Sequence, residues 1–72
     1  MKQSKYINSK ELGKIIKDTR KKLGVTQRDL ALTSGTGLRF IIELEHGKPT
    51  SQLEKVLMVI RTLGLQITIK GV

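Results

Sequence analysis

The chain has no cysteine and no tryptophan, and only one histidine, one proline, one tyrosine and one phenylalanine in 72 residues. Without cysteine there is neither a disulfide framework nor a thiolate metal site, and a lone histidine cannot assemble a zinc centre. No stretch approaches the ~18 apolar residues of a membrane span, and the N-terminus, MKQSKYINSKELGK, lacks the apolar run of a signal peptide. The cytoplasm is therefore the expected compartment. Catalysis has little to draw on. His46 has no obvious acid or nucleophile partner, and Gly35-Thr36-Gly37 is too short and too common a pattern to be a phosphate loop. No enzymatic activity, cofactor, metal or small-molecule ligand is expected. Acidic residues are also scarce: six against fourteen Lys and Arg leave a formal charge of +8. Nucleic acid is the polyanion such an excess suits. Residues 1–28 concentrate it, with Lys2, Lys5, Lys10, Lys14, Lys17, Arg20, Lys21, Lys22 and Arg28 against Glu11 and Asp18. A basic helix that is merely solvated is the plain alternative.

A chain of this length builds one small domain, which buries only about 60% of its unfolded surface and gains from oligomerisation. Residues 1–8 read as a polar, basic arm or, through Tyr6 and Ile7, a short edge strand. Asn8 followed by Glu11 at the third helical position is a reciprocal cap, so a first helix is predicted from Ser9 to Leu23, stopped by Gly24. Leu12, Ile16, Thr19 and Leu23 form its buried stripe. Thr26, with Asp29 three residues on, caps a second helix carrying Leu30 and Ala31. Ser34, Gly35, Thr36 and Gly37 break the pattern, and a third helix runs from about Leu38 to Gly47 with Ile41 and Leu44 inward. Two short helices around a glycine-marked turn read as a helix-turn-helix, whose second helix turns Leu38, Arg39, Ile42 and Glu43 outward to a major groove. His46, at a helix end, is suited to capping the last carbonyls.

A fourth helix is predicted to start at Thr50 or Ser51, using Ser51-x-x-Glu54, and to stop at Gly64. Its apolar face is Leu53, Val56, Leu57, Ile60 and Leu63. From Leu65 to Lys70 the period changes to two, which reads as a β-strand. A single exposed strand is an aggregation hazard unless an edge pairs with it. Pairing with the same strand of a second chain through Leu65, Ile67 and Ile69 makes residues 65–72 a dimerisation strand beside a 9–64 DNA-binding domain; a frayed tail is the alternative.

Taken together, these features resemble the lambda-repressor and Cro-like (XRE) helix-turn-helix family, matching without gaps from Thr26-Gln27 through Leu44-Glu45-His46-Gly47. Within that family, Gly37-Leu38-Arg39-Phe40-Ile41, Glu43-Leu44-Glu45, Gly47-Lys48-Pro49-Thr50 and Lys55-Val56-Leu57, followed by a C-terminal strand, are similar to the small HipB-type antitoxins. The resemblance implies an all-α domain of four to five helices with a C-terminal β-strand, dimerised through an intermolecular sheet. It implies a homodimeric repressor on a near-palindromic operator, with a HipA-like kinase toxin as protein partner. A phage-type regulator without a toxin, or an interaction module that reads no DNA, are the other readings.

Carried across by residue, the resemblance implies base-reading roles for Leu38, Arg39 and Glu43, with Ile42 beside them. Arginine suits guanine O6 and N7, an aliphatic side chain suits a thymine methyl, and a carboxylate suits the N4 amine of cytosine. Burial of Ile42 beneath a partner is its alternative role. Gln27 is expected to bond a phosphate and buttress the recognition helix, with Thr26, Arg28, Lys48 and either Lys10 or Lys14 as further phosphate contacts. Gly37 stands where the family usually has Ser or Thr, leaving backbone N–H groups free for a phosphate while weakening the helix start. Arg20 and Glu45 match a paired arginine and glutamate, expected as a partly buried salt bridge; a solvated Arg20 on phosphate is the rival.

Overall fold

Capping chemistry and four left-handed glycines mark out the architecture. The computed structural model describes residues 7–71, so Tyr6 and most of the expected arm or edge strand lie outside the described residues. Ile7 and Asn8 run as irregular chain into α1 (Ser9–Lys22), followed by α2 (Gln27–Ser34), α3 (Leu38–Glu45) and α4 (Leu53–Thr62). Asn8 Oδ1 accepts the Glu11 N–H at 2.8 Å, and Thr26 Oγ1 accepts the Asp29 N–H at 3.0 Å. Each bond satisfies a donor that the helix start would otherwise orphan. The helices close on Gly24, Gly35, Gly47 and Gly64, all at positive φ, where a residue with a Cβ would be strained.

The core gathers one face from each helix: Ile16 from α1, Leu30 and Ala31 from α2, Ile41 and Leu44 from α3, and Val56, Val59 and Ile60 from α4, closed by Leu63. α2 packs against both α3 and α4, while α1 packs against α3. Burying Ile41 and Leu44 leaves the opposite side of α3 free, which is what a groove-reading helix requires.

Three expectations need correction. The α1 stripe stops short: Leu23 is the C-terminal cap, past the last helical residue, and is 57% exposed. Ser34 does not break α2 but ends it, buried, with its hydroxyl donating to the Leu30 carbonyl at 2.6 Å. α4 begins at Leu53, not at Thr50 or Ser51. Thr50 Oγ1 instead accepts the Gln52 N–H at 3.1 Å, making a side-chain turn that competes with a helical start. Leu53 is consequently at the first exposed turn, and Val59 takes its place as the most buried residue of α4. Separately, no strand forms among the described residues of this single chain. After Gly64 the chain is held by the Leu65 N–H donating to the Ile60 carbonyl at 3.0 Å, and then runs irregularly with Ile67 and Ile69 exposed. A strand exists only by pairing, and the described residues of this single chain offer no second edge. No helix among the described residues is long and apolar enough to cross a membrane.

Candidate nucleic-acid interface

The outward face of α3 carries few and different side chains. Arg39 projects freely, its side chain 87% exposed. Ile42 and Glu43 are half-buried beside it, and Leu38 is half-buried against the core, so that only part of it reaches the surface. Glu43 Oε2 stands between two cations, 3.8 Å from Arg39 Nη1 and 3.4 Å from Lys48 Nζ. The backbone helps to bring Lys48 there, since its N–H donates to the Glu43 carbonyl at 3.0 Å and closes α3. Gly37 begins α3 in an extended conformation with no side-chain cap, so the first N–H groups of the helix stay open to an acceptor. Phe40 is half-buried against the core, with the Lys55 ammonium 5.6 Å from its ring centre.

Behind α3 lies a buried polar cluster. Arg20 Nε donates to Glu45 Oε2 at 2.6 Å and Nη2 to Glu45 Oε1 at 3.0 Å, a bidentate pair, while Nη1 donates to the Val25 carbonyl at 2.8 Å. Gln27 Nε2 donates to Glu45 Oε1 at 3.0 Å. The hydrogen bond to Glu45 raises the Arg20 guanidinium above its ordinary range, against the opposing effect of burial, so the arginine keeps its charge. One carboxylate at the end of α3 thus ties together α1, the approach to α2, and the first residue of α2. Gln27 therefore braces the recognition helix directly, and its amide has a second N–H to offer outward. Thr26 Oγ1 accepts in its cap and keeps its O–H to donate, and Arg28 beside it is exposed.

Two glycines complete the placement of α3, in roles that the sequence pattern does not reveal. A Cβ at Gly13 would collide with the Leu44 carbonyl oxygen and lie 2.9 Å from that of Glu45; one at Gly47 would lie 2.7 Å from the Lys10 Cα. α1 and the end of α3 therefore meet backbone to backbone. The available signal is a glycine inside an amphipathic helix, tolerated at a cost of ~1 kcal/mol only for a packing reason. Among the described residues no group of three or more His, Cys, Asp or Glu is placed to hold a metal ion.

The arrangement is a helix with one solvent-exposed arginine, a flanking lysine, open N–H groups and a rigid brace. A helix-turn-helix family model matches residues 16–69. The HTH-type transcriptional regulator y4mF of Sinorhizobium fredii is 48% identical over 59 residues, covering 82% of this chain and 78% of that protein. The crystal structure of the clp gene regulator ClgR from C. glutamicum superposes with a TM-score of 0.75 at 29% identity, covering 92% of this chain and 85% of that one. The family and these relatives are regulators of transcription and not enzymes. Sequence, fold and site agree: the chain belongs to the XRE-type helix-turn-helix family of DNA-binding transcriptional regulators.

Proposed function

We propose that the protein is a sequence-specific transcriptional repressor that acts as a homodimer, setting two α3 helices in successive major grooves about 34 to 36 Å apart. The observation that carries this reading is the exposed Arg39 on a helix whose opposite face, Ile41 and Leu44, is fixed in the core. Arg39 donates to guanine, Ile42 and the exposed part of Leu38 touch thymine methyls, and Glu43 accepts from cytosine. Gln27, Arg28, Thr26, Lys48 and the open N–H groups after Gly37 hold phosphates and set the register. Dimerisation falls to Leu65, Ile67 and Ile69, whose alternation, with Ile67 and Ile69 exposed and Leu65 resting on the core, supports pairing of residues 65–70 with the same segment of a second chain. The similarity to HipB-type antitoxins extends the reading: the dimer represses its own operon and binds a kinase-like toxin.

Selection of duplexes from a random pool supplies the test. Arg39→Ala is expected to lose ~1 to 3 kcal/mol on the selected duplex and to relax preference at one position, whereas Lys48→Ala weakens all DNA alike. Equal losses on every sequence would refute base reading by Arg39. Removing residues 65–72 should leave a folded monomer with much reduced affinity for a two-half-site duplex; an unchanged dimer would exclude the strand. Co-purification with the product of a neighbouring kinase-like reading frame tests the antitoxin role.

A further inference from the structure

One flank of α1 takes no part in base reading or dimerisation. Lys10, Lys14, Lys17 and Lys21 recur at i, i+4, i+7 and i+11, all exposed, and so form one row along the helix. The row lies beside Gly13 and Arg20, the α1 residues that meet the end of α3, while Leu12 and Ile15 on the other flank face Leu65 and Ile67. Lys10, Lys14 and Lys17 border an open groove of about 510 Å3 whose far wall is Glu45 and His46. His46 is the C-terminal cap of α3, about two helical turns after Arg39, so the groove begins where α3 ends. Of the four lysines, Lys14 is in an ion pair among the described residues, with Asp18 at 2.8 Å.

We propose that this row is a second DNA-contacting surface, a track for the phosphate backbone beyond the base pairs that α3 reads. It rests on the DNA-binding reading above and adds a source of affinity that carries no sequence information. The chemistry favours phosphate over an acidic protein. Lysines are flexible point charges without the bidentate fork that recognises a particular carboxylate, and they are depleted at protein interfaces. The row also holds no aromatic or aliphatic anchor of the kind that dominates binding between proteins. Eleven residues of helix extend about 16 Å, and one DNA strand presents a phosphate about every 3.4 Å of axis, so the row spans several phosphates.

The test compares the full chain with Lys10, Lys14, Lys17 and Lys21 all changed to Gln against a control with Lys22, Lys55, Arg61 and Lys70 changed to Gln, which removes equal charge from other faces. Both are titrated at several salt concentrations with a random-sequence duplex and with the duplex selected by the wild type. The row variant is expected to lower the slope of log affinity against log salt by about 2 to 4, since each neutralised phosphate contributes about 0.9. Affinity for the two duplexes should fall by the same factor, and the control should change the slope by less than about 1. A row variant that behaves like the control, or a loss confined to the selected duplex, would overturn the proposal. A wild type that binds the selected and random duplexes equally refutes the specific reading of α3 instead, and leaves the track measurable on random DNA.

Discussion

At Glu45 a single buried carboxylate accepts three hydrogen bonds, two from Arg20 and one from Gln27. Both charged side chains are nearly sealed, 9% and 2% exposed, and breaking such a pair from one side costs more than the pair contributes. Arg20→Ala is expected to destabilise the protein by about 3 to 5 kcal/mol in urea titration, whereas Arg20→Met with Glu45→Leu should recover at least half of that loss. The double variant should still bind its selected duplex poorly, because Gln27 then has nothing to brace. Recovery of both stability and binding would show that the cluster does not orient α3. Exposed pairs behave differently. The hydrogen bond from Lys14 holds the Asp18 carboxyl below its usual range. Its contribution is thus present above the ordinary carboxylate value and lost as pH falls through the folded value. In full solvent that contribution is small, so Asp18→Asn should melt with the wild type at neutral pH.

At the scale of elements, the weak starts are α3 and α4, neither of which has a side-chain cap. Gly37 sits in the extended conformation a capping serine adopts, with open space where a Cβ would lie. Gly37→Ser should therefore stabilise the fold by a few tenths to about 1 kcal/mol, through the new cap and a less flexible unfolded chain. Thermal melting checks it, and a lowered midpoint would mean that Gly37 is needed for its backbone. Gly13→Ala runs the other way. Its Cβ meets backbone, which cannot rotate aside, and a loss of at least about 1 to 3 kcal/mol is expected in the same assay.

Helix identities, three of the four glycine stops and two caps are legible in the sequence because each depends on neighbouring residues alone. The inward pair Ile41 and Leu44, and hence the outward face of α3, follows from the same local spacing. Periodicity names a face but not how far the core beneath it extends, which is why the pattern puts Leu23 and Leu53 inside and omits Val59. The start of α4 is obscured because Thr50 and Ser51 both resemble caps and only the Thr50–Gln52 turn decides between them. The contacts of Gly13 and Gly47, and the link from Gln27 to Glu45, join residues distant in sequence and leave no local pattern to find.

At the scale of the molecule, the C-terminal segment leaves two large apolar side chains outside the core. Ile67 and Ile69 are 55% and 90% exposed. If this segment joins two chains, folding and association are linked, and the melting midpoint should rise with protein concentration. Ile67→Lys with Ile69→Lys should abolish that dependence while leaving the helical signal of the monomer intact, since neither side chain is part of the core. A concentration-independent midpoint in the wild type would exclude the dimer over the range measured.

The contact of α1 with the end of α3 is made by main-chain atoms across Gly13 and Gly47 and by the buried Arg20–Glu45 pair. Such a joint depends on no side chain of the outward face. Arg39, Ile42 and Glu43 can therefore be exchanged as a set while Ile41, Leu44 and Glu45 keep the helix seated. On the proposed reading of DNA by α3, the fold is a holder for interchangeable recognition surfaces, and rewriting those three positions should retarget it to a different operator without redesigning the domain.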